Sequence, residues 1–143
     1  MIVRAITTAC RTARERNWTR IYWAVDIHGT MMPPTHRGGD LPRTFYDHAR
    51  EVLQLASKRE DICLILYTCS HDHELKEYLT LFREHDIHFD FVNENPEVQN
   101  TAYGNYDKKP YFNVLFEDKA GFDPESDWLP VLELLKDPAG IRW

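Results

Sequence analysis

The chain has 143 residues, 43% of them hydrophobic and 28% charged, which suffices for one domain with a real core and is ordinary for a soluble globular protein. Its net charge of -6 argues against non-specific binding to DNA, RNA or an anionic membrane, so any cations that meet a phosphate must be local. No apolar run approaches the roughly 20 residues of a membrane span, and Arg11, Arg14 and Arg16 fall where a signal peptide would end in small residues.

Ile2, Ile6, Ala9, Cys10 and Ala13 recur at helical spacing. They predict an amphipathic helix within residues 1–17, packed on a sheet edge or a partner. Arg4, Arg11 and Arg14 take the other face, which reads more readily as solvated than as a nucleic-acid contact. Ile21-Tyr22-Trp23-Ala24-Val25 is then a β-prone apolar run, stopped by Asp26 and a Gly29-Thr30 turn. In an open α/β sheet, chemistry gathers beyond the carboxyl ends of the strands. Asp26 is the first candidate for it; the plainer alternative is an Asx-turn. Residues 31–43, rich in proline and glycine, predict a flap-like loop. From it His36 and Arg37 could reach a bound phosphate or simply stand in solvent.

Phe45, Ala49, Val52, Leu53 and Ala56 keep a helical period up to the basic pair Lys58-Arg59. Ile62 to Tyr67 follows as an unbroken apolar run, the pattern of a parallel strand covered on both faces. It closes in Thr68-Cys69-Ser70-His71-Asp72. Ser70 or Asp72 is expected to cap the next helix, whose buried stripe is Leu75, Tyr78, Leu79 and Phe82. A helix N-terminus there offers N–H groups to a phosphate. Without one, Thr68 is only a β-prone residue at a strand end. His71 and His73 make a poor metal pair, because residues two apart on a helix point away from each other and no zinc-like spacing follows. His36, His48, His73, His85 and His88 read as surface or structural. Cys10, Cys63 and Cys69 show no C-x-x-C spacing and suit reduced thiols in a cytoplasm. Cys63 reads as core, and Cys69 lacks the activating neighbour that a nucleophilic thiol needs.

His88 to Val92 predicts a short third strand, and residues 93–107 a hairpin or an irregular loop. Lys108-Lys109-Pro110 leads into a fourth strand from Tyr111 to Phe116, ended by Glu117-Asp118-Lys119-Ala120-Gly121. Trp128, Val131, Leu132 and Leu135 predict a closing helix that stops near Asp137-Pro138.

Four features thus stand in sequence: Asp26 at the end of one strand, Thr68 at the end of the next, Lys109 before the last strand, and Glu117-Asp118 at its end. In form and order they resemble motifs I to IV of the haloacid dehalogenase-like phosphohydrolases, over roughly residues 21–122. The resemblance implies an α/β fold, namely a Rossmann-like three-layer α/β/α sandwich with a mainly parallel sheet. It also implies a single domain over residues 1–143 with no folded cap. Asp26 would be the nucleophile that takes the phosphoryl group. Mg²⁺ would be held by Asp26, the backbone carbonyl of His28 and Asp118, with Glu117 the alternative acid. Thr68, Cys69, Ser70 and Lys109 would hold the phosphoryl group, with Lys108 the alternative lysine.

His28 departs from the family pattern, where a second Asp acts as general acid/base. Imidazole, with an ordinary pKa of about 6.5, is able to do both jobs. Three outcomes stay open: a phosphatase using His28, a slow one, or a catalytically inactive phosphate-binding or regulatory module. The implied substrate is a phosphomonoester. A nucleotide is favoured only because Phe89 to Asn95 resembles the corresponding segment of small nucleotidase-like members. An uncapped site leaves room for a bulky substrate or a covering second subunit.

Overall fold

The apolar runs make the centre of the sheet. In the computed structural model, which describes residues 1–34 and 40–143, Ile21–Val25 forms β1 and Ile62–Leu66 forms β2. Two shorter strands, β3 (Phe91–Val92) and β4 (Val114–Phe116), flank them. All pairings are parallel, in the order β3-β2-β1-β4. Four α-helices, α1 (Ile2–Arg16), α2 (Ala49–Ser57), α3 (Asp72–Glu84) and α4 (Trp128–Lys136), and a short 3₁₀ turn over Asp118–Ala120 complete the elements among the described residues. This α/β architecture is compatible with a Rossmann-like fold. Among the described residues no helix is long and apolar enough to cross a membrane.

Register decides where the site lies. Val25 pairs with both Leu66 and Phe116, so β1, β2 and β4 end level. Asp26, Thr68 and Glu117-Asp118 therefore emerge at one end of the sheet. The chain lays down β1, β2 and β3 in one direction, then returns to place β4 on the other side of β1. That reversal is a topological switch point, where diverging loops leave a crevice beyond the strand ends.

Alternate strand residues face opposite sides of the sheet. Ile21, Trp23, Val25, Ile62, Leu64, Leu66, Val114 and Phe116 join buried residues of all four helices in one apolar cluster. Helix α1 gives it Ile2, Ile6, Ala9, Cys10 and Ala13, as its spacing predicts. The opposite-facing Ala24, Cys63 and Ile65 are buried outside that cluster. The segment from Asn93 to Asn113 covers the Tyr22 side instead. The Tyr22 ring meets Tyr111 edge-on, and its hydroxyl donates to Glu97 at 3.3 Å. Burial there pushes the Cys63 thiol up to about 12, in keeping with an inert core cysteine.

Three expectations shift. Strands β3 and β4 are shorter than their apolar runs, for one reason at two places. The Asp90 carboxylate accepts the Leu64 N–H at 2.9 Å, and the Asn113 side-chain carbonyl accepts the Tyr22 N–H at 2.8 Å. In each case a side chain occupies the position of a ladder carbonyl. Helix α2 starts only at Ala49, because His48 before it takes a left-handed backbone (φ 71°). The cap of α3 is His71, not Ser70 or Asp72; the Glu74 carboxylate accepts the His71 N–H at 3.0 Å. Since His71 is outside the helix, its ring is free to stack on His73, with centroids 5.9 Å apart.

Candidate functional site

Beyond the level strand ends lies a cleft of about 620 Å³, walled among others by Asp26, His28, Tyr67, Thr68, Cys69, Asn93, Lys108, Glu117, Asp118 and Lys119. Asp26 continues β1, its N–H donating to the Phe116 carbonyl at 3.0 Å. Asp26, Glu117 and Asp118 each place a carboxylate oxygen within 4.8 Å of the others. Burial first, then the charges of Glu117 and Asp118, push the Asp26 carboxyl up to about 6; the Ile27 N–H and Lys119 act against this. Glu117 is raised too, by burial and by its hydrogen bond with Asp118. Carboxylates crowded so that Asp26 and Glu117 are both raised form a cluster that a cation would relieve.

The Gly29-Thr30 turn fixes the acidic pair. Gly29 has φ +74°, and a Cβ there would stand 2.6 Å from Asp118 Oδ2. Only glycine permits both that backbone and that approach. Thr30, fully buried, accepts the Asp118 N–H on Oγ1 at 3.1 Å, and its carbonyl accepts Trp128 Nε1–H at 2.8 Å. Trp128 stacks on Phe116, with centroids 5.6 Å apart. The acidic corner is thus pinned to the core by neutral hydrogen bonds and aromatic packing.

Thr68 is held from the neighbouring strand. Asn93 accepts its N–H and donates to its carbonyl, both at 2.8 Å. The Thr68 and Ser70 hydroxyls lie 2.8 Å apart, and the Ser70 N–H donates to Thr68 Oγ1 at 3.1 Å. Ser70 therefore acts on Thr68 and is not a residue of the cleft wall, whereas the exposed Cys69 is. The wall carries Lys108 and Lys119, but not Lys109. His36 and Arg37 fall outside the described residues.

His28 lines the cleft, with its Nε2 2.6 Å from Tyr78 Oη on α3. Burial lowers the pKa of the imidazole, against the opposing charge of Glu74. Burial, then Glu74 and Glu77, push the Tyr78 phenol up to about 12. Both groups are thus biased towards their neutral forms. Among the described hydrogen bonds none ends on the His28 carbonyl, because the turn's N–H groups converge on Ile27 and Met32.

Sequence reasoning left four supports of this site unassigned: Lys119, Asn93, Tyr78 and Thr30. Thr30 had a signal in the Gly-Thr turn and Lys119 in its place beside the acids. The other two depend on contacts 25 and 50 residues apart in the chain. No family model matches the chain, and neither does a curated protein or a solved structure.

Proposed function

We propose that the protein is a divalent-cation-dependent phosphohydrolase of the haloacid dehalogenase-like type, cleaving a phosphomonoester through an aspartyl-phosphate on Asp26. One observation carries the reading: Asp26 meets Glu117 and Asp118 at the sheet's switch point, in the same cleft as Thr68 and a lysine. A strand-ending Asx-turn needs no such company.

The donor set fits a hard cation. Asp26, Glu117 and Asp118 offer only oxygen atoms, and among the described residues no salt bridge ends on any of them. With the His28 carbonyl, they would hold Mg²⁺. Bound there, the ion would neutralise phosphate charge that otherwise repels the nucleophile. The chain does the rest. An Asp26 oxygen attacks phosphorus, the ester P–O bond breaks, and the leaving oxygen takes a proton from solvent water. Water then attacks the same phosphorus, releasing phosphate and restoring the carboxylate. Thr68 and its backbone orient the transferring group, and Lys108 and Lys119 offset its charge. In this reading no folded cap covers the site; the flap expected within residues 31–43 lies partly outside the described residues.

A phosphate-release screen over phosphomonoesters tests this, with Mg²⁺ present and again after chelation. Release that needs the ion and disappears in Asp26→Asn supports the proposal. An Asp26→Asn protein as active as the parent overturns it. The contact between His28 and Tyr78 favours a second reading, a phosphate-binding module of low turnover. His28→Asp separates the two: a large gain in turnover supports the weakened module, and a large loss assigns His28 a catalytic role.

A further inference from the structure

The His28 ring is held from one side. Its Nε2 stands 2.6 Å from Tyr78 Oη, a separation that fits one short hydrogen bond carrying one proton. The two rings meet edge-on at 5.5 Å. Tyr78 itself is 1% exposed and lies stacked against Phe82, so its hydroxyl has little freedom to look elsewhere.

Two arrangements fill the contact. Either the Tyr78 O–H donates to an unprotonated Nε2, or an Nε2–H donates to Tyr78 Oη. The second leaves the phenol proton in search of another acceptor. Among the described residues the Tyr78 hydroxyl has no partner but His28. A buried hydroxyl without an acceptor bears its full desolvation penalty, whereas the first arrangement satisfies both groups with one proton. The first is therefore favoured. It leaves the imidazole proton on Nδ1, the ring nitrogen not engaged by Tyr78.

We propose that Tyr78 is a positioning residue that locks His28 in the Nδ1–H tautomer, so that the imidazole offers the cleft a hydrogen-bond donor and not a lone pair. The tautomer stands on this contact alone. Its use rests on the function proposed above, where the donor serves the leaving or phosphoryl oxygen of the ester. An imidazole held this way is not the base that deprotonates the attacking water. His28 then differs in role, and not only in residue type, from an acid/base carboxylate.

Long-range ¹H–¹⁵N spectra of ¹⁵N-labelled protein at pH 8 read the tautomer, with His28→Gln assigning the signals. The parent is expected to show a protonated, pyrrole-like Nδ1 and an unprotonated Nε2. Tyr78→Phe is expected to lose that single-tautomer pattern. It should also lower kcat roughly 3- to 10-fold, the worth of one hydrogen bond, with KM within about twofold. A protonated Nε2 in the parent, or a Tyr78→Phe spectrum identical to it, overturns the inference. If Tyr78→Phe does not fold, the parent spectrum decides by itself. The expected tautomer in a protein that releases phosphate from no ester upholds this inference and defeats the proposed function. Phosphate release from a parent with Nε2 protonated does the reverse.

Discussion

The two ends of β1 handle charge in opposite ways. At its start, Arg20 is half-buried between two acids, 2.6 Å from Glu97 and 3.5 Å from Asp90. Asp90 in turn accepts the Leu64 N–H, so the ion cluster ties the 90–97 segment to the sheet. At the other end Asp26, Glu117 and Asp118 crowd together, and burial with this crowding raises the pKa of Asp26 and of Glu117. One end matches opposite charges and fixes a loop. The other gathers like charges and is held in place by Thr30, Trp128 and Gly29, none of which is charged. Crowded like charge costs stability, a cost that functional sites commonly carry.

The two ends of β1 should differ most clearly in turnover. Asp26→Asn should lower kcat by roughly a thousandfold or more, as expected for a covalent nucleophile. Phosphate release per folded molecule checks it. Arg20→Met, at the opposite end, should leave turnover unchanged. It should destabilise the fold by about 2 kcal/mol, because Asp90 and Glu97 lose their partner. Urea denaturation measures that difference.

Gly29→Ala attacks the neutral support. The strained backbone and the approach to Asp118 should cost about 1–2 kcal/mol. Because Asp118 must move, Mg²⁺ affinity should fall as well, which calorimetric titration reads. Smaller still is the effect of pH. The Asp26 carboxyl is raised from an ordinary 3.8 to about 6, so the folded chain binds this proton more tightly than the unfolded one. Without a divalent ion, stability should therefore grow as pH falls through about 6 towards 4, and the gain should be absent at pH 8. After allowance for solvent screening at a half-buried group, this is about 1 kcal/mol. In a chelator, Asp26→Asn should then melt about 3 °C above the parent at pH 8, with the gap closing near pH 4.

How much of this was legible depended on distance along the chain. β1 and β2 announce themselves as unbroken apolar runs, and register carries Asp26, Thr68 and Glu117-Asp118 to one edge. The lengths of β3 and β4 were not readable, because Asp90 and Asn113 end their ladders with side chains from within the apolar runs. Lys108 and Lys109 are neighbours in an irregular segment, where periodicity cannot say which of them faces inward. The cap of α3 did carry a local sign, since Glu74 stands three residues beyond His71 in capping-box position. The His28–Tyr78 contact joins residues with no pattern between them, so only the folded chain reveals it.

The most direct test is a crystal structure of the protein grown with Mg²⁺ and fluoroberyllate, a mimic of the transferred phosphoryl group. Beryllium is expected to be bonded to an Asp26 oxygen, beside an ion that also touches Asp118. A mimic and an ion that bind apart from Asp26, or leave its carboxylate untouched, would contradict it.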